Sequence, residues 1–214
     1  MNDIRPCDAS LVQAMCEKYH GYKSAGKVFT YAFAVYENDQ PVACFAWNPP
    51  PPGAAKSVCP EAPYAVLSLA RMVAVPKNQR QLKHISKPLR RQMKHLLDRT
   101  RWPVLVTYSD EGQGHTGYVY QCSGFTKTTR SRRPVFVTPD GSRKSHYCAG
   151  KHTTEGLVRT EDTVIQRWEH RVCEAGAEAE TLLRYWKREP VKGRKYSSGN
   201  QAYQWRPIKP TIGV

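Results

Sequence analysis

The chain has 214 residues, enough for one full hydrophobic core and a small appendage, with 40% hydrophobic and 24% charged residues. Lys and Arg number 33 against 18 Asp and Glu, a formal net charge of +15. This clustered charge favours nucleic acid as the partner over a membrane surface or no particular partner, because each neutralised phosphate releases a condensed counterion. No apolar run approaches the roughly 20 residues of a membrane span, and the opening MNDIR lacks the layout of a secretion signal, so we expect a cytoplasmic protein without a membrane partner.

Cysteine spacing gives no evidence of a zinc site. Seven cysteines lie far apart in the chain and none forms a C-x-x-C pair. Their odd number fits reduced thiols in an intracellular protein, several of them in the core. No cysteine is assigned a functional role.

The first third of the chain predicts a helix and then a hairpin. Residues 10–20 have helical spacing, with Ser10 as N-cap and Gly21 at the end. Residues 29–37 and 42–47 are rich in aromatic and β-branched residues and flank a turn at 38–41, which indicates a β-hairpin. Residues 49–63 contain four consecutive prolines and predict an extended surface loop.

The middle of the chain predicts a strand, a helix and a second strand. Residues 64–75 are the best candidate for the centre of a sheet, and a regular helix is expected from about Ser86 to residue 100. Residues 104–109 form the next buried strand, with Asp110 at its end, followed by a short helix at 114–122 and strands from Phe125 onward. Since a strand–helix–strand unit of this length implies parallel strands with a right-handed crossover, we expect an α/β fold: a mixed central sheet flanked by helices.

The last third differs in composition. We divide the chain into a domain at 1–150 and a basic, aromatic-rich extension at 151–214. The extension predicts one helix, around 164–173, and an irregular tail from 184 that packs on the domain or becomes ordered on nucleic acid.

Three basic clusters, each containing a single acidic residue, lie at 77–101, 127–151 and 184–209. In the third, aromatic residues alternate with the charges, a combination that holds a backbone while stacking on exposed bases. For any one aromatic residue, burial against the core is the more frequent role. The candidate DNA-binding residues are Lys87, Arg90, Arg91, Lys94, Arg130, Arg132, Arg133, Lys192, Arg194 and Lys195.

The segment 107–121, TYSDEGQGHTGYVYQ, has the composition of a site. A buried strand places Asp110 at its carboxyl end, where open α/β sheets bind ligands, and three glycines allow close approach to the backbone. With His115 and Tyr120, this segment could deprotonate an amine, orient a donor or bind a metal. From the residues alone, a glycine-rich turn in which Asp110 caps the next helix is an equally good interpretation.

Four motifs resemble the Mom family of phage DNA-modification proteins. They are LARMV at 69–73, Pro76-x-Asn78, YSD at 108–110 and GHxGxxYQ at 114–121. The resemblance implies an N-acetyltransferase (GNAT) fold over roughly residues 10–150. It also implies conversion of adenine in phage DNA to a carbamoylmethylated form that shields the DNA from restriction. The implied partner is double-stranded DNA in an infected or lysogenic bacterium, and the oligomeric state, a dimer included, is left open.

The resemblance also implies roles for individual residues. It makes Asp110, Tyr120, His115 and Tyr36 the catalytic candidates, and Arg71, Asn78 and Arg80 the donor-binding candidates. Asp110 would accept the proton of the amine or fix the adenine edge, Tyr120 would protonate a leaving group or complete a metal site, and Arg71 would hold an anionic part of the donor. Because the family has been linked to iron, His20 and Asp110 are its candidate ligands here.

The donor is expected to resemble acetyl coenzyme A, with one reservation. The turn at 76–82, PKNQRQL, contains no glycine, whereas a pyrophosphate nest of backbone donors benefits from glycine. Lys77 and Arg80 could instead hold phosphates by their side chains. Two other functions remain open: a GNAT acyltransferase acting on an RNA-bound or protein amine, and a DNA-binding protein without enzymatic activity.

Overall fold

A computed structural model describes residues 3–21, 25–99, 101–139, 143–144, 157–160, 162–173, 177–195 and 201–207. The N-terminal part contains β1 (Asp3–Pro6), α1 (Ala9–Tyr19), β2 (Tyr31–Glu37) and β3 (Gln40–Asn48). The predicted helix and hairpin are confirmed, although Asp8 rather than Ser10 is the N-cap of α1. Asn38 and Asp39 both have positive φ, the backbone that a tight two-residue hairpin requires.

The sequence predicted that the proline-rich segment is extended throughout, and this prediction is wrong for part of it. A helix, α2 (Pro52–Val58), forms inside it, because proline is well tolerated in the first turn of a helix, where no N–H donor is needed. The predicted central strand and long helix are confirmed as β4 (Val66–Ala74) and α3 (Ser86–Arg99).

The following elements also agree with the prediction. They are β5 (Val104–Asp110), α4 (Tyr118–Ser123) and β6 (Thr126–Arg133). A small sheet joins β7 (Phe136–Val137) to β8 (Arg143–Lys144) and β9 (Val158–Arg159). Near the C-terminus, α5 (Glu178–Tyr185) precedes β11 (Trp186–Lys195), which pairs with β12 (Gln201–Pro207). The irregular tail predicted from residue 184 is therefore wrong for these residues, which pair as an antiparallel hairpin.

The helix predicted around 164–173 is wrong. This segment forms a strand, β10 (Thr163–Arg171), which lies between β5 and β6 in a seven-stranded sheet of order β1-β2-β3-β4-β5-β10-β6. The boundary at residue 150 therefore does not separate the sheet from the extension. Among the neighbouring strands of this sheet, only β4 and β5 are parallel.

Helices cover both faces of the large sheet. On the α3/α4 face, Leu89, Met93 and Leu96 of α3 pack in one apolar cluster that extends to Phe125 and Trp168. On the α1/α2 face there are two smaller clusters, one under α1 and one under α2. Within the described ranges, no helix is long and apolar enough to cross a membrane.

Candidate functional site

The central parallel strands separate before they end. β4 and β5 pair only at Val66–Val104, Leu67–Leu105 and Ser68–Val106, although β5 continues to Asp110. Beyond these pairs the facing edges of the two strands diverge. An opening at the carboxyl ends of parallel strands is where α/β sheets bind ligands.

Arg71 lies in β4 beside this opening. The pairing of β4 with β3 passes from Leu69 to Arg71 and leaves Ala70 as a bulge. Nη1 of Arg71 donates a 2.7 Å hydrogen bond to the carbonyl oxygen of Ala70. Arg71 faces α1. Burial raises the pKa of Cys16 in this helix, and the nearby positive charge of Arg71 opposes that rise. The structure thus places Arg71, half-buried, on the α1/α2 face.

Asp110 ends β5 and is nearly buried, with 6% of its surface exposed. Its Oδ1 accepts a hydrogen bond of 2.9 Å from the N–H of Gly112 and another from the hydroxyl of Thr163 in β10. Asp110 therefore caps the 3-10 turn at Glu111–Gln113. This agrees with the second interpretation of the segment, a glycine-rich turn in which Asp110 is the cap. The alternation of β5 places Asp110 on the same α1/α2 face as Arg71.

Two of the three glycines in this segment accommodate β10. A Cβ atom on Gly112 would collide with Thr163, and one on Gly117, which has φ of +74°, would collide with the indole ring of Trp168. Gly114 also has positive φ, but nothing lies within 4 Å of its Cβ position. The close approach predicted for Gly112 and Gly117 is confirmed, and what approaches is the chain's own β10.

Tyr120 lies on the α3/α4 face, across the sheet from Asp110. It is 8% exposed and packs against Phe125 and Trp168, with ring centroids 6.0 and 6.2 Å away. Burial raises the pKa of Tyr120, an effect that its hydrogen bond with Thr107 opposes. Its hydroxyl therefore stays protonated at neutral pH, as a proton donor requires.

The catalytic candidate His115 and the metal candidate His20 lie at the same end of the sheet as Asp110. The side chain of His115 is exposed, and its backbone N–H donates a 3.2 Å hydrogen bond to the carbonyl oxygen of Asp110. His20 follows α1 beside Gly21, whose Cβ position is 2.8 Å from Oε1 of Gln113 in the turn after Asp110.

Tyr36 lies farther away, in β2. It packs in the cluster under α1, with the Arg5 guanidinium 4.9 Å from its ring centroid. No group of three or more His, Cys, Asp or Glu side chains that could hold a metal occurs in the described part of the chain. The iron site on His20 and Asp110 stays a prediction.

The turn between β4 and α3 is closed by a carboxylate that sequence reasoning missed. Glu37, at the end of β2, accepts hydrogen bonds from the N–H groups of Gln81, at 2.7 Å, and Leu82. Arg80 folds back onto β4, donating a 2.8 Å bond from Nε to the carbonyl oxygen of Val75, and its Nη1 is buried without a partner in the described structure. Asn78 is exposed in a 3-10 turn.

This turn does not fit the pyrophosphate of coenzyme A. A nest for phosphates needs free backbone N–H groups and room for the anion. Here two N–H groups are paired with Glu37, and the turn contains no glycine. The missing glycines already argued against a pyrophosphate nest in this turn, and the hydrogen bonds to Glu37 are a second, structural reason.

The predicted DNA-binding residues lie on separate elements. Lys87, Arg90, Arg91 and Lys94 are exposed along α3, opposite its apolar side. Arg130, Arg132 and Arg133 are exposed on β6, where Arg130 forms a 2.8 Å ion pair with Glu111. Lys192, Arg194 and Lys195 fall on β11, and their side chains lie outside the described residues.

Comparison with known families settles the relationship of the chain. A model of the Mom protein family matches residues 2–186. The chain belongs to the Mom protein family. The family resemblance read from the four motifs is confirmed. A search of curated proteins found no significant match.

The fold resembles that of GNAT acetyltransferases, as predicted. An N-acetyltransferase from Staphylococcus aureus Mu50 is 12% identical over 81% of this chain and 99% of its own, with a TM-score of 0.51. A putative phosphinothricin N-acetyltransferase is 9% identical over 81% of this chain and 100% of its own, with a TM-score of 0.50. A putative streptothricin acetyltransferase from Bacillus anthracis, solved with acetyl coenzyme A, is 13% identical over 72% and 68%, with a TM-score of 0.42.

Proposed function

We propose that this chain is a transferase that converts the exocyclic amine of adenine in DNA to a carbamoylmethylated form. Family membership and the GNAT-like fold support a transferase-type function. The observation that carries the proposal is the carboxylate of Asp110, held by Gly112 and Thr163 beside the opening between β4 and β5. The surplus of 33 Lys and Arg over 18 acidic residues supports DNA as the partner.

The chemistry explains why a fixed carboxylate is needed. The lone pair of the adenine amine is delocalised into the ring, so the amine is a poor nucleophile. As its nitrogen forms a bond to the activated carbon of the donor, its proton must leave, and Asp110 is the group proposed to accept it. The two hydrogen bonds to Oδ1 fix the orientation of the carboxylate.

Tyr120 and Arg71 complete the proposal. Tyr120, protonated and in contact with the sheet from the α3/α4 face, would donate its own phenolic proton to the departing group, while Asp110 keeps the proton of the amine. Arg71 would balance negative charge in the opening from the α1/α2 face. Because the turn at 76–82 does not fit a coenzyme A pyrophosphate, no step is assigned to that cofactor.

The test is mass spectrometry of nucleosides from DNA of cells that express the chain or its Asp110→Asn variant. Asparagine keeps an oxygen that can accept the bonds from Gly112 and Thr163, so the fold is retained while the base is lost. We expect a carbamoylmethyl-adenine peak that falls by about 100- to 10,000-fold in the variant.

Two results would contradict the proposal. An undiminished peak in the variant would remove Asp110 from the chemistry. Unmodified DNA together with a mass increase in tRNA from the same cells would show that the substrate is an RNA-bound amine rather than adenine in DNA.

A further inference from the structure

A cavity of about 370 Å³ lies on the α1/α2 face, next to the opening between β4 and β5. Tyr108 of β5 and Ile165 and Arg167 of β10 form its floor, and Ser57 of α2 forms one wall. Ser131 and Arg133 of β6 line its outer side. Its volume lies within the range of pockets that hold small ligands.

The two arginines of this cavity differ in their partners. Arg167 is already bonded within the fold: its Nη1 donates to Ser57 at 3.1 Å, and its Nε lies 3.2 Å from the hydroxyl of Thr128 and 2.8 Å from the carboxylate of Glu169. Arg133 is exposed and forms no hydrogen bond or ion pair with any residue that the structure describes. Arg167 is therefore held in the floor of the cavity by the fold, and Arg133 is the more available cation for a ligand.

Tyr108 adds an aromatic ring and a hydroxyl to the cavity. Its hydroxyl has no hydrogen-bond partner within the described residues, although the side chain is half-buried. Burial raises the pKa of Tyr108, and the nearby charges of Arg167 and Arg133 oppose that rise. The phenol is thus a protonated donor at neutral pH, close to both guanidinium groups.

The cavity is placed to serve Asp110. Tyr108 and Asp110 lie two residues apart on the same side of β5, a distance of about 7 Å along the strand. β6 forms the outer edge of the large sheet, and all of its side chains are exposed, so a nucleic-acid strand can reach the cavity from solvent.

We infer that this cavity binds the target nucleotide, with the adenine base against Tyr108 and a backbone phosphate on Arg133. An aromatic ring beside a free cation and hydroxyls is the combination with which proteins hold unpaired nucleotides. The assignment rests on the proposed function, because it takes the extruded adenosine of DNA as the ligand. It places the adenine amine towards Asp110.

Binding measurements on the full chain test the cavity without any donor. The probes are two short labelled single strands of DNA, one with a central adenine among thymines and one with an abasic residue in its place. Fluorescence anisotropy should show that the wild-type chain prefers the adenine strand by about 10-fold. Tyr108→Leu should remove this preference, and Tyr108→Phe, which keeps the ring, should retain it.

Arg133→Gln has a matched control in Lys27→Gln, since Lys27 is an exposed cation that lies outside the three basic clusters and does not line the cavity. Arg133→Gln should weaken both strands by about 5- to 10-fold and reduce the salt dependence of binding by about one phosphate contact. Lys27→Gln should leave binding of these short strands within about twofold of wild type.

Several outcomes would overturn the assignment. They are equal losses in Arg133→Gln and its Lys27→Gln control, no adenine preference in the wild type, tighter binding of the matching RNA strands, or Arg133-dependent displacement of the strand by coenzyme A. The last would make the cavity a donor site.

The cavity and the proposed reaction can fail separately. Unmodified cellular DNA with Arg133-dependent adenine binding would reject the reaction and keep the cavity. Modified DNA with unchanged binding and KM in Arg133→Gln and Tyr108→Leu would reject the cavity and keep the reaction.

Discussion

The two faces of the large sheet are stabilised by different interactions. The α3/α4 face buries one continuous apolar cluster that includes Tyr120 and Trp168. The α1/α2 face has two smaller clusters, and around them lie Arg71, Asp110 and the polar cavity. One face thus supplies most of the apolar packing, while the other exposes polar groups beside the opening between β4 and β5.

An ionic network replaces part of the apolar packing on the α1/α2 face. Glu169 and Glu178 are 6% and 3% exposed, and both pair with Arg171. Arg171 also donates a 2.8 Å bond to the carbonyl oxygen of Val58, so the network joins α2, β10 and α5. Since buried charges are costly unless paired, this face should be the more sensitive to loss of a single partner.

The largest expected effect is that of Arg171→Met. This variant removes the guanidinium that pairs with the buried carboxylates of Glu169 and Glu178. The free energy of unfolding should therefore fall by about 3–5 kcal/mol in urea titrations. The control is Arg159→Met, which removes an exposed 3.0 Å pair with Asp162 and should cost less than about 1 kcal/mol. Similar losses in both variants would mean that the network does not stabilise this face.

The packing of the α3/α4 face is tested by Gly117→Ala. The added methyl group overlaps Trp168 at a residue with positive φ, so we expect a loss of about 3 kcal/mol in the same titrations. Gly114→Ala adds a methyl group at similar φ but in open space, and should cost about 1 kcal/mol. Equal costs would show that contact with Trp168 is not what selects glycine at 117.

Tyr120→Phe asks whether the α3/α4 face also takes part in the chemistry. Removing the hydroxyl should cost about 1 kcal/mol of stability and lower adenine modification by at least about 100-fold. Thr107→Val breaks the same hydrogen bond but keeps the phenol, so it should lose stability without losing modification. A parallel loss of modification in both variants would make Tyr120 a structural residue.

The smallest effect concerns pH and the turn after Asp110. Arg130 and Gln166 bond to Glu111 and hold its pKa below the usual 4.5. Since the pKa is depressed in the folded state, the stabilisation is present above pH 4.5 and is lost as the pH falls through the folded-state pKa. Melting temperatures of Glu111→Gln should therefore fall less steeply in acid than those of the wild type. An unchanged acid limb would contradict this.

Local patterns were sufficient to predict the elements that bear on the α3/α4 face. The apolar runs of β4 and β5 and the helical spacing of α3 are properties of adjacent residues, and they placed Asp110 at a strand end. The strand β10 escaped prediction because it buries the polar side chains of Gln166 and Glu169, which bond to Glu111 and Thr128, 55 and 41 residues away in the chain. The roles of Thr163 and Glu37 depend on contacts across more than 40 residues, which no local spacing reveals.

In the turn between β4 and α3, the carboxylate of Glu37 competes with incoming anions for two backbone N–H groups. Because its carboxylate already bonds to the N–H groups of Gln81 and Leu82, an anion that binds to these two groups must displace a carboxylate held at very high effective concentration. A donor with a pyrophosphate is disfavoured by this exchange, whereas a donor that does not contact the turn is unaffected. The chain would thus select its donor partly by rejecting others, and affinity for abundant cellular polyphosphates would be suppressed without any change to the opening between β4 and β5.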